Sequence, residues 1–151
     1  EHFFAGCKNI LVWNSDILSN INIHNLLNFH QHHQNDVSLA VRNRDSSRKL
    51  LFDKNNSLSG WRHKTENKEI LVENKSGPFH EFAFSGIHLL KREFLDNFPP
   101  ADHPYGLVKT WLDNASENTI AAFEHSEDYW FDCGKPETLN AANNFYKGRP
   151  K

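Results

Sequence analysis

The chain has 151 residues, a formal charge of −2, 38% hydrophobic residues, 12 Phe and 4 Trp, a composition that fits one ordered domain with a single sizeable core and a polar surface. Its Lys and Arg are scattered and form no basic stripe to neutralise a run of phosphates, which argues against a nucleic-acid partner, and no apolar run is long enough to span a membrane. Cys7 and Cys133 supply neither a disulfide framework nor a zinc site, so a reducing, cytoplasmic setting is expected.

The chain opens Glu1-His2-Phe3-Phe4 and contains no Met. It then runs directly into a strand-like segment, as a chain entered in mid-domain would. Asn9 to Trp13 is a short apolar run that ends in Asn14-Ser15-Asp16 and reads as a buried strand stopping at a turn. Residues 23–33 read as a surface helix, with Leu26, Phe29 and His30 at helical spacing. Asp36 to Val41 alternates as a second strand, which makes residues 14–36 a strand–helix–strand crossover. Residues 48–61 read as a hairpin turning at Asp53-Lys54-Asn55-Asn56. Residues 64–77 are polar, and only Ile70-Leu71-Val72 offers a strand there.

His80 to Leu90 is the longest apolar stretch and predicts a central strand, with Phe82, Phe84, Gly86 and His88 on one side and Ala83, Ser85, Ile87 and Leu89 on the other. Lys91 to Asn97 starts a short helix stopped by Pro99-Pro100. Tyr105 to Asn114 carries Leu107, Val108, Trp111 and Leu112 at helical spacing. Ile120 to Glu124 and Tyr129 to Phe131 are two further short strands. Pro136 opens a last helix with Leu139, Ala142 and Phe145 along its inner face. Strands alternating with helices, interrupted by two hairpin-like pairs, predict an α/β domain with a mixed sheet.

Two acids stand where open α/β sheets bind ligands, just past the carboxyl ends of strands. Asp16 follows the first strand. Asp132 leaves the short strand of Trp130-Phe131-Asp132-Cys133-Gly134-Lys135-Pro136-Glu137. Folded together, they suit a Mg²⁺ ion that keeps several waters and also binds substrate phosphates. Each alone also has a structural use: Asp16 capping a turn, Asp132 satisfying backbone donors beside Gly134. The group His30, His32 and His33 reads as a solvated polar face, because only His30 and His33 share a side of a helix and no third ligand is evident. Cys133 reads as small packing, the Phe79 to Phe84 stretch as core, and Trp130 as either a core wedge or a border of the cleft.

Four segments carry a resemblance. "ILVWNSDILSNINIHNLLNFHQHHQNDVSLAV" resembles the strand, Gly-Asp, helix and second strand of the sugar-1-phosphate nucleotidyltransferases. "FDKNNSLSGWRHK" resembles that family's "D-x-x-G-x-V-x-G-F-x-E-K" hairpin. "FAFSGIHLLKREFLDNFP" resembles its "N-A-G-I-Y-V" strand and the helix that follows. "YWFDCGKPETLNAAN" is similar to its "Y-W-x-D-I-G-T-P-E-x-Y-L-x-A-N" ending and is the most specific of the four. They occur in family order and cover nearly the whole chain. The nearest kinds are the mannose-1-phosphate guanylyltransferases and the N-acetylmuramate-1-phosphate uridylyltransferases, and the lack of a left-handed β-helix pattern after Pro150 leans toward the latter.

The resemblance implies a Rossmann-like, mixed and mostly parallel sheet flanked by helices, of the nucleotide-diphospho-sugar transferase type. Residues 1–151 would form a single incomplete catalytic domain, its C-terminal two-thirds. It also implies transfer of a nucleotidyl group from an NTP to a sugar 1-phosphate with release of pyrophosphate. By matching position, Asp16 and Asp132 are the Mg²⁺ ligands, Lys64 faces the sugar phosphate, and Ser85 and Gly86 border the sugar. Ser15, His63 and Thr65 depart from the family's Gly, acid and Pro. The Gly-rich loop that holds the NTP phosphates has no counterpart in this sequence, so this chain alone is expected to be inactive. The departures leave open a second reading, a non-catalytic relative that binds a nucleotide or sugar phosphate as a sensor or subunit.

Overall fold

The computed structural model describes residues 4–99 and 106–148. The expected start of a helix at Tyr105, Pro100 and the opening residues 1–3 lie outside them.

The strands are β1 (Asn9–Trp13), β2 (Ile17–Ser19), β3 (Val37–Arg42), β4 (Arg48–Phe52), β5 (Leu58–His63), β6 (Lys68–Leu71), β7 (His80–Lys91), β8 (Ile120–Glu124) and β9 (Trp130–Asp132). The helices are α1 (Ile23–His32), α2 (Leu107–Asn114) and α3 (Pro136–Lys147), and a short 3-10 helix covers Arg92–Asn97. Local chemistry sets several boundaries. Asn22 caps α1 by accepting from the Asn25 amide at 3.0 Å, a cap that satisfies one of the donors every helix start leaves open. The β4–β5 hairpin turns where Asp53 Oδ1 accepts from the amides of Asn55 and Ser57, with Asn56 in the left-handed region at φ 64°, a conformation Asn tolerates better than most residues.

Strand β7 is the spine of a seven-stranded sheet ordered β6-β5-β4-β7-β3-β8, with β1 also paired to β7. Because β1 and β3 both pair with β7 residues 88–90, they occupy opposite edges of that strand. Both run antiparallel to it and are therefore parallel to each other. The expected β1–α1–β3 crossover exists, with β7 inserted between its two strands.

The expectation of a mostly parallel sheet is corrected by the pairing. Among the described strands only β3 and β8 pair in parallel; every other pair is antiparallel. Short connections force this for β4–β5 and β5–β6, since strands joined by a tight turn cannot lie parallel to each other; the other antiparallel pairs bring together strands distant in sequence. The mixed α/β character itself holds.

The sheet has a core on each face. On one, Trp111 and Leu112 of α2 join Leu50, Phe52, Leu58, Leu39, Val41 and Leu90, with Phe82 and Phe84 packed against them. On the other, Leu26 of α1 meets Ile21, Ala40, Ile87 and Leu89. The alternation read along β7 thus places Phe84 and His88 against Trp111 and Ile87 and Leu89 under α1. Parity survives an irregularity: Leu39 pairs with His88 but Val41 with Phe84, so β7 bulges by two residues opposite Ala40.

Two sequence expectations fail at the surface–core boundary. His32 and His33 are exposed as expected, but His30 is only 2% exposed and its Nδ1 lies 2.9 Å from the hydroxyl of buried Ser38. It lies one helical turn from Leu26, on the face that meets the sheet. Leu139, expected on the inner face of α3, is 46% exposed. That helix is anchored instead by Ala142 and by Phe145 against Tyr129 and Phe131.

Candidate functional site

Strands β1, β3 and β8 run in one direction, and their carboxyl ends gather at one end of the sheet. That end carries Asp16 after β1, Arg44 after β3 and His125 after β8. Ligands of open α/β sheets bind at such ends.

The acids meet through the smallest sheet in the molecule. β2 and β9 pair antiparallel with Ile17 opposite Asp132, and the Cys133 amide donates to the Asp16 carbonyl at 2.7 Å. Three-residue strands have little pairing strength of their own. Ser19 strengthens the join by donating to the Tyr129 carbonyl at 2.9 Å, and Asn20 Oδ1 accepts from the Tyr129 amide at 2.7 Å. As a result both carboxylates face Gly134. A methyl group on Gly134 would sit 3.0 Å from Asp16 Oδ2 and 3.1 Å from Asp132 Oδ1, so glycine leaves between the two acids a space that a side chain would fill. Asp132 Oδ1 also accepts from the Gly134 amide at 3.1 Å. No third His, Cys, Asp or Glu joins them in a cluster among the described residues. A pair of carboxylates suits a hard cation such as Mg²⁺, which is commonly held by one or two carboxylates plus water and substrate phosphates.

Ser85 and Gly86 form the bulge of β7 and adjoin the acids. Gly86 has φ 78°, and a Cβ there would lie 2.7 Å from Ile17 Cγ1 and 3.1 Å from Asn14 Nδ2. Glycine is required twice over, by the left-handed backbone and by the close approach. The Gly86 carbonyl accepts from the Asn14 amide at 2.9 Å, tying the bulge to the turn that carries Asp16.

The Ser85 hydroxyl is fully buried and lies 2.7 Å from His125 Nε2. Burial, then the nearby Arg42 guanidinium, pushes His125 down to about 4, so the ring is neutral at pH 7. Asp128 Oδ2 stands 3.4 Å from its Nδ1, which favours the proton on Nδ1 and leaves Nε2 to accept from Ser85. What Ser85 presents toward the cleft is backbone, and its carbonyl already accepts from Trp130 Nε1 at 2.9 Å.

Lys64 lies farther along the same face. It follows β5, half exposed, with Nζ 3.3 Å from Glu81 Oε2; Glu81 also takes Arg62. Glu81 and Ser85 are four residues apart on β7, about 13 Å along an extended strand. His63, where the resemblance leads one to expect an acid, is buried, and its Nδ1 accepts from the Glu66 amide at 3.2 Å. The structure therefore brings Asp16, Asp132, Ser85 and Gly86 together and leaves Lys64 at the far rim.

Between these groups stand residues that the sequence reading passed over. The Arg44 guanidinium lies 4.6 Å over the Trp130 ring. Burial pushes it below its ordinary value while Asp132 acts in the opposite direction. Lys49, 5% exposed, donates to the Arg44 carbonyl at 2.5 Å and is lowered by burial first and by the positive charge of Lys64 next. The usable signal for Arg44 was its place two residues past the end of a strand parallel to β1. Lys49, inside a hairpin strand, gave none.

Architecture and strand-end geometry together define a mixed α/β fold whose candidate site lies at the carboxyl ends of β1, β3 and β8. In fold the chain is similar to a crystal structure of a candidate glucose-1-phosphate thymidylyltransferase from Bacillus anthracis in complex with a sucrose, with a TM-score of 0.72, 15% identity and 99% of this chain covered. The chain spans 58% of the length of that protein. No protein-family profile matches it, and no curated protein does. Among the described residues no helix is long and apolar enough to cross a membrane.

Proposed function

We propose that this chain is part of a cytoplasmic sugar-1-phosphate nucleotidyltransferase, which transfers a nucleotidyl group from an NTP to a sugar 1-phosphate and releases pyrophosphate. The observation that carries the reading is the facing of Asp16 and Asp132 across Gly134. Asp16 and Asp132 would hold Mg²⁺, which when bound neutralises charge between two phosphate groups that otherwise repel. Lys64 places a positive charge for the acceptor phosphate, at the cost of loosening its pair with Glu81. The backbone of Ser85 and Gly86 borders the sugar.

Such a reaction asks the protein mainly for positioning and charge neutralisation. A phosphate dianion is already a competent nucleophile, so no general base is needed. His125 fits that view: it is neutral, buried and occupied with Ser85.

The test is pyrophosphate release by the full-length protein with Mg²⁺, NTP and a panel of sugar 1-phosphates. Asp132→Asn should abolish turnover while leaving the circular dichroism spectrum unchanged; near-normal activity in that variant would refute the metal assignment. Residues 1–151 alone should release no pyrophosphate, and turnover at full rate would refute the need for a separate phosphate loop. A second reading, a non-catalytic binder of the same ligands, draws on the inward-facing His63. Mg²⁺-dependent NTP turnover by the full-length protein decides against it.

A further inference from the structure

We infer that Arg44 is a phosphate-binding residue of this cleft, a planar donor fork held beside the acid pair by Trp130. The inference rests on reading the Asp16–Asp132 pair as part of a phosphate-handling site and adds the residue that would take the anion.

Arg44 is placed with care and bonded poorly. Trp130 supports its guanidinium from below at 4.6 Å and is itself fixed by the bond from its Nε1 to the Ser85 carbonyl. Trp130 lies two residues before Asp132, so this platform brings the cation to the acids. The guanidinium has five N–H donors in a rigid fork. It spends them on two long contacts, Nη1 to the Asp45 carbonyl at 3.3 Å and Nη2 to the Phe84 carbonyl at 3.4 Å. Its Nε is buried and meets no acceptor among the described residues. A half-buried cation whose buried Nε–H lacks an acceptor is costly, and a phosphoryl group offers three strong acceptor oxygens that match the fork in two-point geometry.

The neighbourhood calls for the same ligand. Lys49 holds the Arg44 backbone, and Lys64 stands near enough to Lys49 to lower it. Lys49 thus sits between two other cations, Arg44 and Lys64, with Glu81 and Asp45 acting on it in the opposite direction and Asp132 acting so on Arg44. An anion in front of Arg44 relieves that crowding.

The test uses the purified chain, titrated with inorganic phosphate and with glucose 1-phosphate in the presence of Mg²⁺, and read by calorimetry and by the NMR signal of the Arg44 Nε–H. Circular dichroism confirms that each variant is folded. Arg44→Gln should weaken both ligands by about tenfold or more, the loss expected of a charge-assisted hydrogen bond. Arg44→Lys keeps the charge, loses the fork and should fall between. In the unaltered chain the Nε–H signal should move on saturation, which a merely structural arginine would not show.

Equal affinity in Arg44→Gln and the unaltered chain overturns the assignment and leaves the acid pair untouched. If the unaltered chain binds neither ligand, both the assignment and the reading beneath it fail. Should phosphate binding depend on Arg44 while glucose 1-phosphate binds no tighter and Mg²⁺ has no effect, Arg44 stands as an anion site and the nucleotidyltransferase reading falls.

Discussion

Replacing Gly134 by Ala tests the acid pair without touching either acid. The added methyl group would lie 3.0 Å from Asp16 Oδ2 and 3.1 Å from Asp132 Oδ1, where ordinary contacts begin at 3.4 Å. Each carboxylate must then retreat by a few tenths of an ångström. Mg²⁺ demands near-ideal octahedral geometry with ligands at about 2.0–2.1 Å, so displacing both ligands should weaken it by about tenfold or more, roughly 1.4 kcal/mol. Stability should barely change. The Gly134 backbone lies outside the left-handed region, so Ala can adopt it and gains about 0.4–1 kcal/mol by restricting the unfolded chain. The two tight contacts oppose that gain, and Tm should shift by no more than about 4 °C. Mn²⁺ in place of Mg²⁺ provides the assay: paramagnetic broadening of the amide signals of Asp16, Asp132 and Gly134 reports site occupancy, and a thermal melt reports the fold. If Gly134→Ala binds Mn²⁺ within about twofold of the unaltered chain, the two carboxylates do not share an ion.

Gly86→Ala should behave in the opposite way, because its φ of 78° and a 2.7 Å approach to Ile17 combine backbone strain with overpacking; we expect a loss of about 2–4 kcal/mol in urea unfolding, and a loss below about 1 kcal/mol would show that the bulge relaxes freely. Stability should also fall with acid. His30, His88 and His125 are each pushed down to about 4, with burial the leading cause. Below about 6.5 the unfolded chain takes up protons that the native chain refuses. The stabilisation is therefore complete above about pH 6.5 and is lost as pH falls toward 4, by roughly 1 kcal/mol per pH unit for each histidine. Urea midpoints at pH 7, 6 and 5 measure it, and an unchanged midpoint would contradict the burial of these rings.

Much of this protein is legible from local pattern. The apolar run of β7, the Asp53 to Asn56 turn, the Pro136 helix start and the two acids leaving strands are all written in short stretches of chain, because hydrophobic period and turn chemistry act over a few residues. The α1 boundary is legible nearly to the residue for the same reason. The burial of His30 is not legible, because a polar ring at a core-facing position looks like surface until Ser38 arrives from another element to bond it.

What only tertiary structure decided is who meets whom. Sheet direction depends on where β7 inserts, and no local signal reports that. The three-residue strands β2 and β9 are too short to declare their pairing, yet that pairing sets Asp16 against Asp132. Arg44, Trp130, Ser85 and His125 come from four separate segments, and each looks ordinary alone. Sequence determines which groups leave strand ends with charge on them; the hydrogen-bonded register between distant strands determines the few ångströms that turn such groups into a site.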